Sequence, residues 1–216
     1  RWAAAFMTGA RKSELLGLEW DRVDLDAGSM DISWQLQRHQ KVHGCELKDG
    51  KPSCKRVRPA YCPDAKWKLP PGFEWEKCYK SLLWTRPKST SGIRRVPIHP
   101  MLLAALKVHR SMDTGENPHG LVWHHLDGRP VSPEEDSAAW NDLMAAAGIE
   151  KTAGVAVLHE ARNTAATMLL EAGVDVRVIQ EILGHATILQ TRDYQRVSLP
   201  LAQEAVSGAF GKLLSQ

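Results

Sequence analysis

Apolar positions in the second half of the chain recur at the spacing of α-helices. The stretch HPMLLAALKVHRSM, residues 99–112, has this spacing, and Pro100 fits the first turn of a helix, where its missing N–H is not needed. The stretch SPEEDSAAWNDLMAAAG adds end signals, with Ser132 as N-cap, Glu135 completing a capping box and Gly148 as a stop. The sequence therefore predicts two helices here.

The last third of the chain, which begins LHEARNTAATMLLEAGVDVRVIQEILGH, predicts further helices. One helix ends at Gly173, and the next follows the N-cap Asp175 and stops at Gly184. The second of these carries apolar side chains at helical spacing: Val178, Ile179, Ile182 and Leu183. A third helix starts near Thr187, and a tail helix covers about 201–214.

The first half of the chain changes to a period of two. In SMDISWQLQR, residues 29–38, apolar and polar side chains alternate, which is typical of a half-buried strand. Residues 81–85 and 94–98 are two more strand candidates, and residues 13–20 form a short helix. Residues of about 38–80 have no periodicity and read as an irregular insertion. The pattern predicts one α+β domain, mainly α-helical with a small antiparallel β-sheet.

Composition adds little to this picture. A chain of 216 residues with 43% hydrophobic residues can bury the core of one domain. The 28 Lys and Arg residues against 25 Asp and Glu give a net charge of only +3, which by itself does not indicate a polyanionic partner. No run of about 18 apolar residues occurs, and the opening RWAAAFMTGARKSE becomes charged too early for a signal sequence. We expect a soluble, intracellular protein that has no membrane partner.

Four polar residues interrupt the helices of the last third: His159, Arg162, His185 and Tyr194. Any one of them alone is most simply a hydrogen-bonded or packed structural residue. Their arrangement as H-x-x-R, then L-G-H, then a Tyr nine residues later favours a functional site instead. Two other stretches point the same way, TGARKSELLGLEWDRVDLD at 8–26 and RPKSTSGIRRVPI at 86–98.

Together these three stretches resemble the tyrosine recombinase (phage integrase) family. The first follows the family's box T-G-x-R-x-S-E with Arg11 and Glu14 in place. The second is similar to the family's β-hairpin with Lys88 at its turn, and the alternatives for that position are Lys80, Arg86 and Arg94. The last matches the H-x-L-R-H-T and L-G-H…Y boxes, except that Ala161 and Asn163 replace Leu and His, which affects local packing and hydrogen bonding only. The stretches WQLQRHQKVHGC and LWTRPKS resemble integrases of actinobacterial phages or integrative elements.

The resemblance implies site-specific recombination, in which DNA phosphodiesters are cleaved and rejoined without metal or ATP. Arg11 and Arg162 would clamp the growing negative charge, since guanidinium groups are planar and permanently charged. Tyr194 would be the nucleophile and form a covalent 3′-phosphotyrosyl link. That link conserves the bond energy, so no cofactor is required for catalysis.

The remaining roles implied by the resemblance move protons or orient the clamp. Lys88 would protonate the departing 5′-oxygen, and His159 would take the tyrosyl proton or hydrogen-bond the phosphate. His185 would donate a hydrogen bond to a non-bridging oxygen. Glu14, one helical turn after Arg11, would orient a guanidinium rather than react.

The resemblance also implies an assembly. Four protomers would bind double-stranded DNA at specific attachment sites as a homotetramer and exchange the tail helix, with accessory DNA-bending proteins as further partners. The chain starts at Arg1 and its first motif arrives at Thr8, so we expect a catalytic domain, residues 1–216, without the family's N-terminal core-binding domain. Alternative functions are DNA relaxation like that of a type IB topoisomerase, and DNA binding by a fragment that is inactive in recombination.

The insertion contains the stretch HGCELKDGKPSCKRVRPAYC, residues 43–62. Intracellular proteins rarely keep disulfides, so three cysteines and a histidine in one loop allow a structural zinc site as one interpretation. The usual C-x-x-C pairs do not occur, and a reduced loop without metal is the alternative. The candidate ligands are His43, Cys45, Cys54 and Cys62.

Basic side chains are the second feature of this insertion. Five of them against Glu46 and Asp49 are typical of a surface that contacts phosphates, and a merely solvated loop is the alternative. Two arginines of the middle stretch extend the set of candidate DNA contacts, which is Lys48, Lys51, Lys55, Arg56, Arg58, Arg86 and Arg94.

Overall fold

The computed structural model of the chain describes residues 1–48, 50–149 and 159–184. Its helices are α1 Trp2–Thr8, α2 Lys12–Leu16, α3 Pro100–Met112, α4 Pro133–Ala146, α5 His159–Glu171 and α6 Val176–Leu183. Its strands are β1 Val23–Asp24, β2 Ser29–Ile32, β3 Gln35–Arg38, β4 Lys41–Val42, β5 Leu47–Lys48, β6 Lys51–Pro52, β7 Lys66–Trp67, β8 Trp75–Tyr79, β9 Leu82–Thr85 and β10 Arg94–Pro97. The predicted helices that start near Thr187 and cover 201–214 lie outside the described residues.

The predictions for α3 to α6 are confirmed, including their end signals. At the start of α4 the Ser132 hydroxyl accepts from the Glu135 N–H at 3.2 Å, and the Glu135 carboxylate accepts from the Ser132 N–H at 2.8 Å. Asp175 caps α6 by accepting from the N–H of Arg177, and Gly184 ends it with a left-handed backbone. These caps satisfy backbone groups that a helix leaves without partners at its ends.

We expect Ser132→Ala to lower the free energy of unfolding by about 1 kcal/mol, because the first turn of α4 loses its side-chain acceptor. Ser111→Ala, at an exposed position in α3, is the matched control and is expected to stay within about 0.5 kcal/mol of the parent. Urea unfolding followed by circular dichroism measures both. Equal effects of the two substitutions would contradict a stabilising cap.

The predicted helix over 13–20 is too long at its C-terminal end. α2 ends at Leu16 because Gly17 lies against β3: a Cβ on Gly17 would stand 2.6 Å from the backbone nitrogen of Leu36. The indole N–H of Trp84 donates to the Gly17 carbonyl at 3.1 Å, which ties the helix end to the sheet. The chain continues as a single 3-10 turn, Trp20–Arg22.

Residues 29–38 pair with two different strands in turn. β2 is the centre of the sheet β1-β2-β10, and β3 is an edge of the sheet β3-β9-β8. All pairs are antiparallel, with Arg94 opposite Ile32 in one sheet and Thr85 opposite Gln35 in the other. β10 therefore pairs with the first half of the run 29–38, and β9 pairs with the second half. Residues 86–93 connect β9 to β10 as a loop that belongs to neither sheet.

The predicted hairpin with Lys88 at its turn is therefore wrong in its pairing. β9 and β10 do not pair with each other, because each finds its partner in one half of the alternating run 29–38. The hairpin next to this region joins β8 to β9, and Lys80 in its turn has a left-handed backbone with φ of 49°. Lys88 lies instead in the loop 86–93 between β9 and β10, which we call the excursion 86–93.

The insertion is more ordered than the sequence predicts. β8 belongs to the sheet β3-β9-β8, so the insertion is shorter than predicted and covers residues 39–74. Within it β4 pairs with β7, β5 pairs with β6, and a 3-10 turn covers Pro59–Tyr61. Short pairs of this length have no alternating apolar face, which is why periodicity did not reveal them.

Within residues 1–48, 50–149 and 159–184, the buried apolar side chains form three clusters. The largest joins α1, α2, the first sheet, α3 and α5, and includes Ala4, Leu15, Met30, Val96, Leu102 and Ala161. The second joins the end of α2 to the other sheet through Leu16, Trp34, Leu36 and Trp84. The third packs α5 on α6 through Ala166, Ile179 and Leu183. Among the described residues, no helix is both long and apolar enough to cross a lipid bilayer.

Candidate active site

Three arginines from distant parts of the chain meet at the C-terminal end of α6. Arg94 donates to the Ile182 carbonyl at 2.7 Å, Arg162 donates to the Leu183 carbonyl, and Arg11 donates to the Gly184 carbonyl at 3.4 Å. The last carbonyls of a helix have no partners within it and carry its partial negative charge, so they attract cations. The three separate motifs of the sequence are thereby brought to one point.

Glu14 holds two of these arginines together. One carboxylate oxygen accepts from the Arg11 guanidinium at 2.7 Å and from Arg94 at 3.1 Å, and the other accepts from Arg94 at 2.9 Å and from the Arg11 backbone N–H at 2.7 Å. The side chain is 1% exposed. Burial tends to raise the pKa of Glu14, but the bonds from Arg94 and Arg11 outweigh it and hold the pKa below its usual value. Glu14 is thus an anion that fixes the direction of both guanidinium groups.

The interpretation of Arg94 as a DNA contact has to be corrected. Its side chain is only 4% exposed, and its guanidinium donates to Glu14, to the Ile182 carbonyl and to the Gly92 carbonyl. Such a group balances a buried carboxylate, and Arg94 does not line the cleft beside this cluster, which Arg11 and Arg162 do line. A phosphate contact needs a donor that the cleft can reach. Arg94 therefore positions Glu14 and α6.

Arg162 is also buried, at 2% exposure, and reaches α6 from the first turn of α5. It donates to the Gly9 carbonyl at 2.7 Å as well as to that of Leu183. Gly9 has a left-handed backbone with φ of 62°, and a Cβ there would stand 2.2 Å from Leu183 Cδ2. The Thr-Gly pair before Arg11 thus has a physical reason: only glycine allows α1 to end this close to α6.

The excursion 86–93 reaches the same point from the other side. A Cβ on Gly184 would stand 2.6 Å from the Ser91 carbonyl oxygen and 2.9 Å from Arg94 Cδ, so the excursion lies directly against the end of α6. Lys88 is exposed on this excursion. The structure therefore puts the segment that carries Lys88 next to the arginines, with its ammonium group on the solvent side.

A cleft of about 750 Å³ opens beside the arginines. Arg11 and Arg162 line it, and the side chain of Arg11 is 36% exposed. Two basic residues that we did not single out from the sequence, Lys12 and Arg38, also line it. Lys12 donates to the Ser137 hydroxyl at 2.8 Å, and Arg38 pairs with Glu134 at 2.9 Å. Two features of the sequence could have identified them: Lys12 directly follows Arg11, and Arg38 is the last residue of the alternating run 29–38.

The other predicted catalytic residues are located only in part. His159 is the first residue of α5, three positions before Arg162, and its side chain lies outside the described atoms. His185 directly follows Gly184 in the sequence, but it and Tyr194 lie outside the described residues. The described half of the site is the arginine cluster with Glu14 and the excursion 86–93.

The four candidate zinc ligands of the insertion are brought together. One ligand atom from each of His43, Cys45, Cys54 and Cys62 lies within 4.8 Å of all the others. The five basic residues of the same segment are exposed, and none forms an ion pair within the described residues. Arg86 instead stacks over Trp34 at 4.1 Å and pairs with Glu74 at 3.1 Å.

Comparison with known proteins identifies the family to which a chain with this fold and this arginine cluster belongs. The phage integrase family matches residues 77–199, which is more than half of the chain. The chain therefore belongs to the phage integrase family. An integrase of Saccharopolyspora erythraea is 28% identical over 219 residues, covering 91% of this chain and 49% of that protein. The tyrosine recombinase XerA of Pyrococcus furiosus is 32% identical over 131 residues, covering 60% of this chain and 44% of that protein.

Solved structures show the same fold. The Tn1549 transposon integrase, in complex with a circular intermediate DNA, matches with a TM-score of 0.68 at 19% identity, covering 96% of this chain and 57% of that chain. The XerA recombinase matches with a TM-score of 0.60 at 19% identity, covering 95% and 56%. The chain has the α+β fold of a tyrosine recombinase catalytic domain, and it spans about half the length of the relatives that it matches from end to end.

Proposed function

We propose that the chain is the catalytic domain of a site-specific DNA recombinase that cleaves and rejoins strands through a covalent 3′-phosphotyrosyl intermediate. The observation that carries this proposal is the meeting of Arg11 and Arg162 at the end of α6, immediately before His185. Relatives described as an integrase and as a tyrosine recombinase support it.

The arginine cluster supplies what cleavage of a phosphodiester needs most. The attack on phosphorus builds negative charge on the non-bridging oxygens, and donors that are already fixed stabilise it without reorganisation. Arg11 is fixed by Glu14 and faces the cleft, so it would bind the phosphate directly. Arg162 is held by two carbonyls at the wall of the same cleft and would complete the clamp.

The covalent step would use Tyr194, Lys88 and the two histidines of the site. The Tyr194 oxygen would attack phosphorus, the P–O bond to the 5′-oxygen would break, and Lys88 would give that oxygen its proton. His159 would take the tyrosyl proton or hydrogen-bond the phosphate, and His185 would donate to a non-bridging oxygen. The phosphotyrosyl ester keeps the bond energy for religation, so the cycle needs neither a metal nor ATP.

The partners follow from the proposed reaction. Double-stranded DNA with specific attachment sites would be the substrate, and four protomers would exchange their tail segments, residues 201–214, on two such sites, with DNA-bending proteins as accessories. Exposed basic residues of the insertion would contact phosphates, namely Lys48, Lys51, Lys55, Arg56 and Arg58. Such an enzyme would act where the DNA lies, in the cytoplasm of the bacterial host at the nucleoid.

A search for covalent complexes tests the proposal. The purified chain is incubated, in EDTA, with a pool of nicked duplexes that contain a randomised segment, so that a cleaved strand loses its short end and cannot be rejoined. We expect a DNA–protein complex that survives SDS, and peptide mapping is expected to place the nucleotide on Tyr194. Sequencing the trapped DNA then identifies the attachment site.

Two results would contradict this function. A complex that forms only when Mg²⁺ is added would indicate a metal-dependent reaction, and a nucleotide attached to a residue other than Tyr194 would indicate another nucleophile. Relaxation of a supercoiled plasmid without any sequence preference in the trapped DNA would favour a topoisomerase-like enzyme.

A further inference from the structure

The insertion brings four side chains with metal-binding atoms to one point. His43 follows β4, Cys45 comes two residues later, Cys54 follows β6, and Cys62 follows the 3-10 turn Pro59–Tyr61. Their ligand atoms lie within 4.8 Å of one another, and the Cys54 sulfur lies 3.4 Å from His43 Nδ1. These four groups come from three separate segments, the turn 43–45, Cys54 and Cys62, so chain proximity alone does not bring them together.

The distance between Cys54 and His43 fits a tetrahedral ion. With Zn–S bonds of about 2.3 Å and Zn–N bonds of about 2.0 Å, neighbouring ligand atoms of a tetrahedron are separated by roughly 3.5 to 3.8 Å. The observed 3.4 Å between Cys54 and His43 is close to this value. Three thiolates and an imidazole are ligands that zinc prefers, and four protein ligands leave no open position for a substrate.

The backbone around the ligands is built for close approach. A Cβ on Gly44, between His43 and Cys45, would stand 2.0 Å from the backbone oxygen of Asp64, so the two ligand-bearing turns touch at a glycine. The Cys62 N–H donates to the Pro59 carbonyl at 3.0 Å, which turns Cys62 inward. β4 pairs with β7 and β5 pairs with β6, so both arms of the cluster are held by strand pairs.

The insertion has almost no apolar core to hold it together. Among residues 39–48 and 50–74, Cys62 is the only buried residue, whereas Leu47 is 69% exposed and Val57 is 94% exposed. A segment of this size that buries so little apolar surface is not stabilised by the hydrophobic effect. In small modules of this kind, metal binding replaces the missing core and is coupled to folding.

We propose that His43, Cys45, Cys54 and Cys62 bind one Zn²⁺ ion, which holds the insertion in its folded form. The free sulfhydryl groups lose their protons on binding, so each cysteine is a thiolate ligand and the three protons go to the buffer. The metal has a structural role, at a site separate from the arginine cluster. The proposal therefore does not depend on the DNA chemistry of the protein.

Metal analysis of two cysteine variants tests the site. The chain is purified under reducing conditions from zinc-supplemented cells, and its metal is measured by plasma mass spectrometry. We expect about one zinc per chain for the parent, since four protein ligands bind one ion, and near zero for Cys54→Ala. Cys78→Ala is the matched control: Cys78 lies in β8 within the second apolar cluster, where burial raises the pKa of its thiol to about 12, and this variant is expected to keep the zinc.

Hydrogen exchange separates loss of the metal from loss of the fold. In Cys54→Ala, and in the parent treated with a strong zinc chelator, we expect faster exchange over residues 41–67 and unchanged exchange in α3 and α4. Cobalt replacing zinc is expected to give the absorption of a tetrahedral thiolate complex. A parent without bound metal, a disulfide that persists among the three cysteines under the reducing conditions of purification, or a slowly exchanging insertion after the zinc is removed would each overturn the proposal.

Discussion

Tyr194→Phe is expected to form no covalent complex with DNA, whereas the parent chain forms one on the nicked substrate. The substitution removes one oxygen atom, the atom that would bond to phosphorus, and keeps the aromatic ring. Loss of the nucleophile cannot be compensated by the arginine clamp, because the clamp stabilises charge but forms no bond. The measurement is the SDS-resistant complex on a gel, with labelled DNA.

A second tyrosine provides the control. The chain has three tyrosines, and Tyr61 lies in the insertion with 66% of its side chain exposed, so Tyr61→Phe changes the same atom far from the arginine cluster in the sequence. We expect Tyr61→Phe to form the complex at the rate of the parent, and both variants to bind the trapped DNA as the parent does in a gel-shift assay. A complex that persists in Tyr194→Phe would show that Tyr194 is not the nucleophile.

Much of the helical half could be predicted because its signals are local. Capping boxes, N-caps and terminal glycines act within one turn of a helix, so Ser132, Glu135, Asp175 and Gly184 show the ends of α4 and α6 without knowledge of the fold. The motif residues Arg11, Glu14 and Arg162 could be selected in the same way, from their fixed positions in the sequence. Their meeting at the end of α6 could not be derived from spacing, since it depends on three distant segments.

Strand pairing could not be predicted in the same way. β9 and β10 are separated by eight residues and look like the two arms of a hairpin, but both find partners in the long alternating run 29–38. Nothing local distinguishes these arrangements, because strand pairing is decided by long-range contacts. The role of Arg94 was missed for the same reason: an arginine in a basic stretch looks like a phosphate contact until its buried partner is known.

The cysteines of the insertion show the opposite case. Their residue types predicted a common function although their spacing matched no familiar pattern, and the structure brings all four ligand atoms together. Irregular spacing carries little weight here, because the ligands come from three separate segments that only the folded chain brings together: the turn 43–45, Cys54 after β6 and Cys62 after the 3-10 turn. In this segment, the residue types indicated which side chains lie together, whereas the periodicity of apolar positions did not.

The contact between Glu14 and its two arginines leads to the largest expected effect on stability. Glu14→Gln keeps the shape of the side chain and removes its charge, which leaves the buried guanidinium of Arg94 without a counter-ion. Removing one partner of a buried ion pair typically costs about 3 to 5 kcal/mol, a large part of the roughly 5 to 15 kcal/mol by which a domain is stable. We expect a decrease in the free energy of unfolding of this size, measured by urea unfolding at neutral pH.

Glu134→Gln is the matched control, because Glu134 also pairs with an arginine at 2.9 Å. That pair is exposed, with 45% of the Arg38 side chain and 61% of the Glu134 side chain accessible, and exposed pairs contribute less than about 1 kcal/mol. The same substitution at the same distance therefore isolates the effect of burial. Similar losses for the two variants would contradict the structural role of Glu14.

The pH dependence gives an independent check with a defined sign. The pKa of Glu14 is lower in the folded protein than its usual value, so its contribution is complete above the unfolded pKa of about 4.3 and is lost as the pH falls through the folded pKa. The difference in unfolding free energy between the parent and Glu14→Gln should be constant near neutral pH and shrink below about pH 4.

Glu14→Gln should also form the covalent DNA complex more slowly than Glu134→Gln at a temperature where both are folded, because Arg11 is then no longer held by a carboxylate. A stable but catalytically normal Glu14→Gln would show that the Arg11 guanidinium is oriented by other contacts.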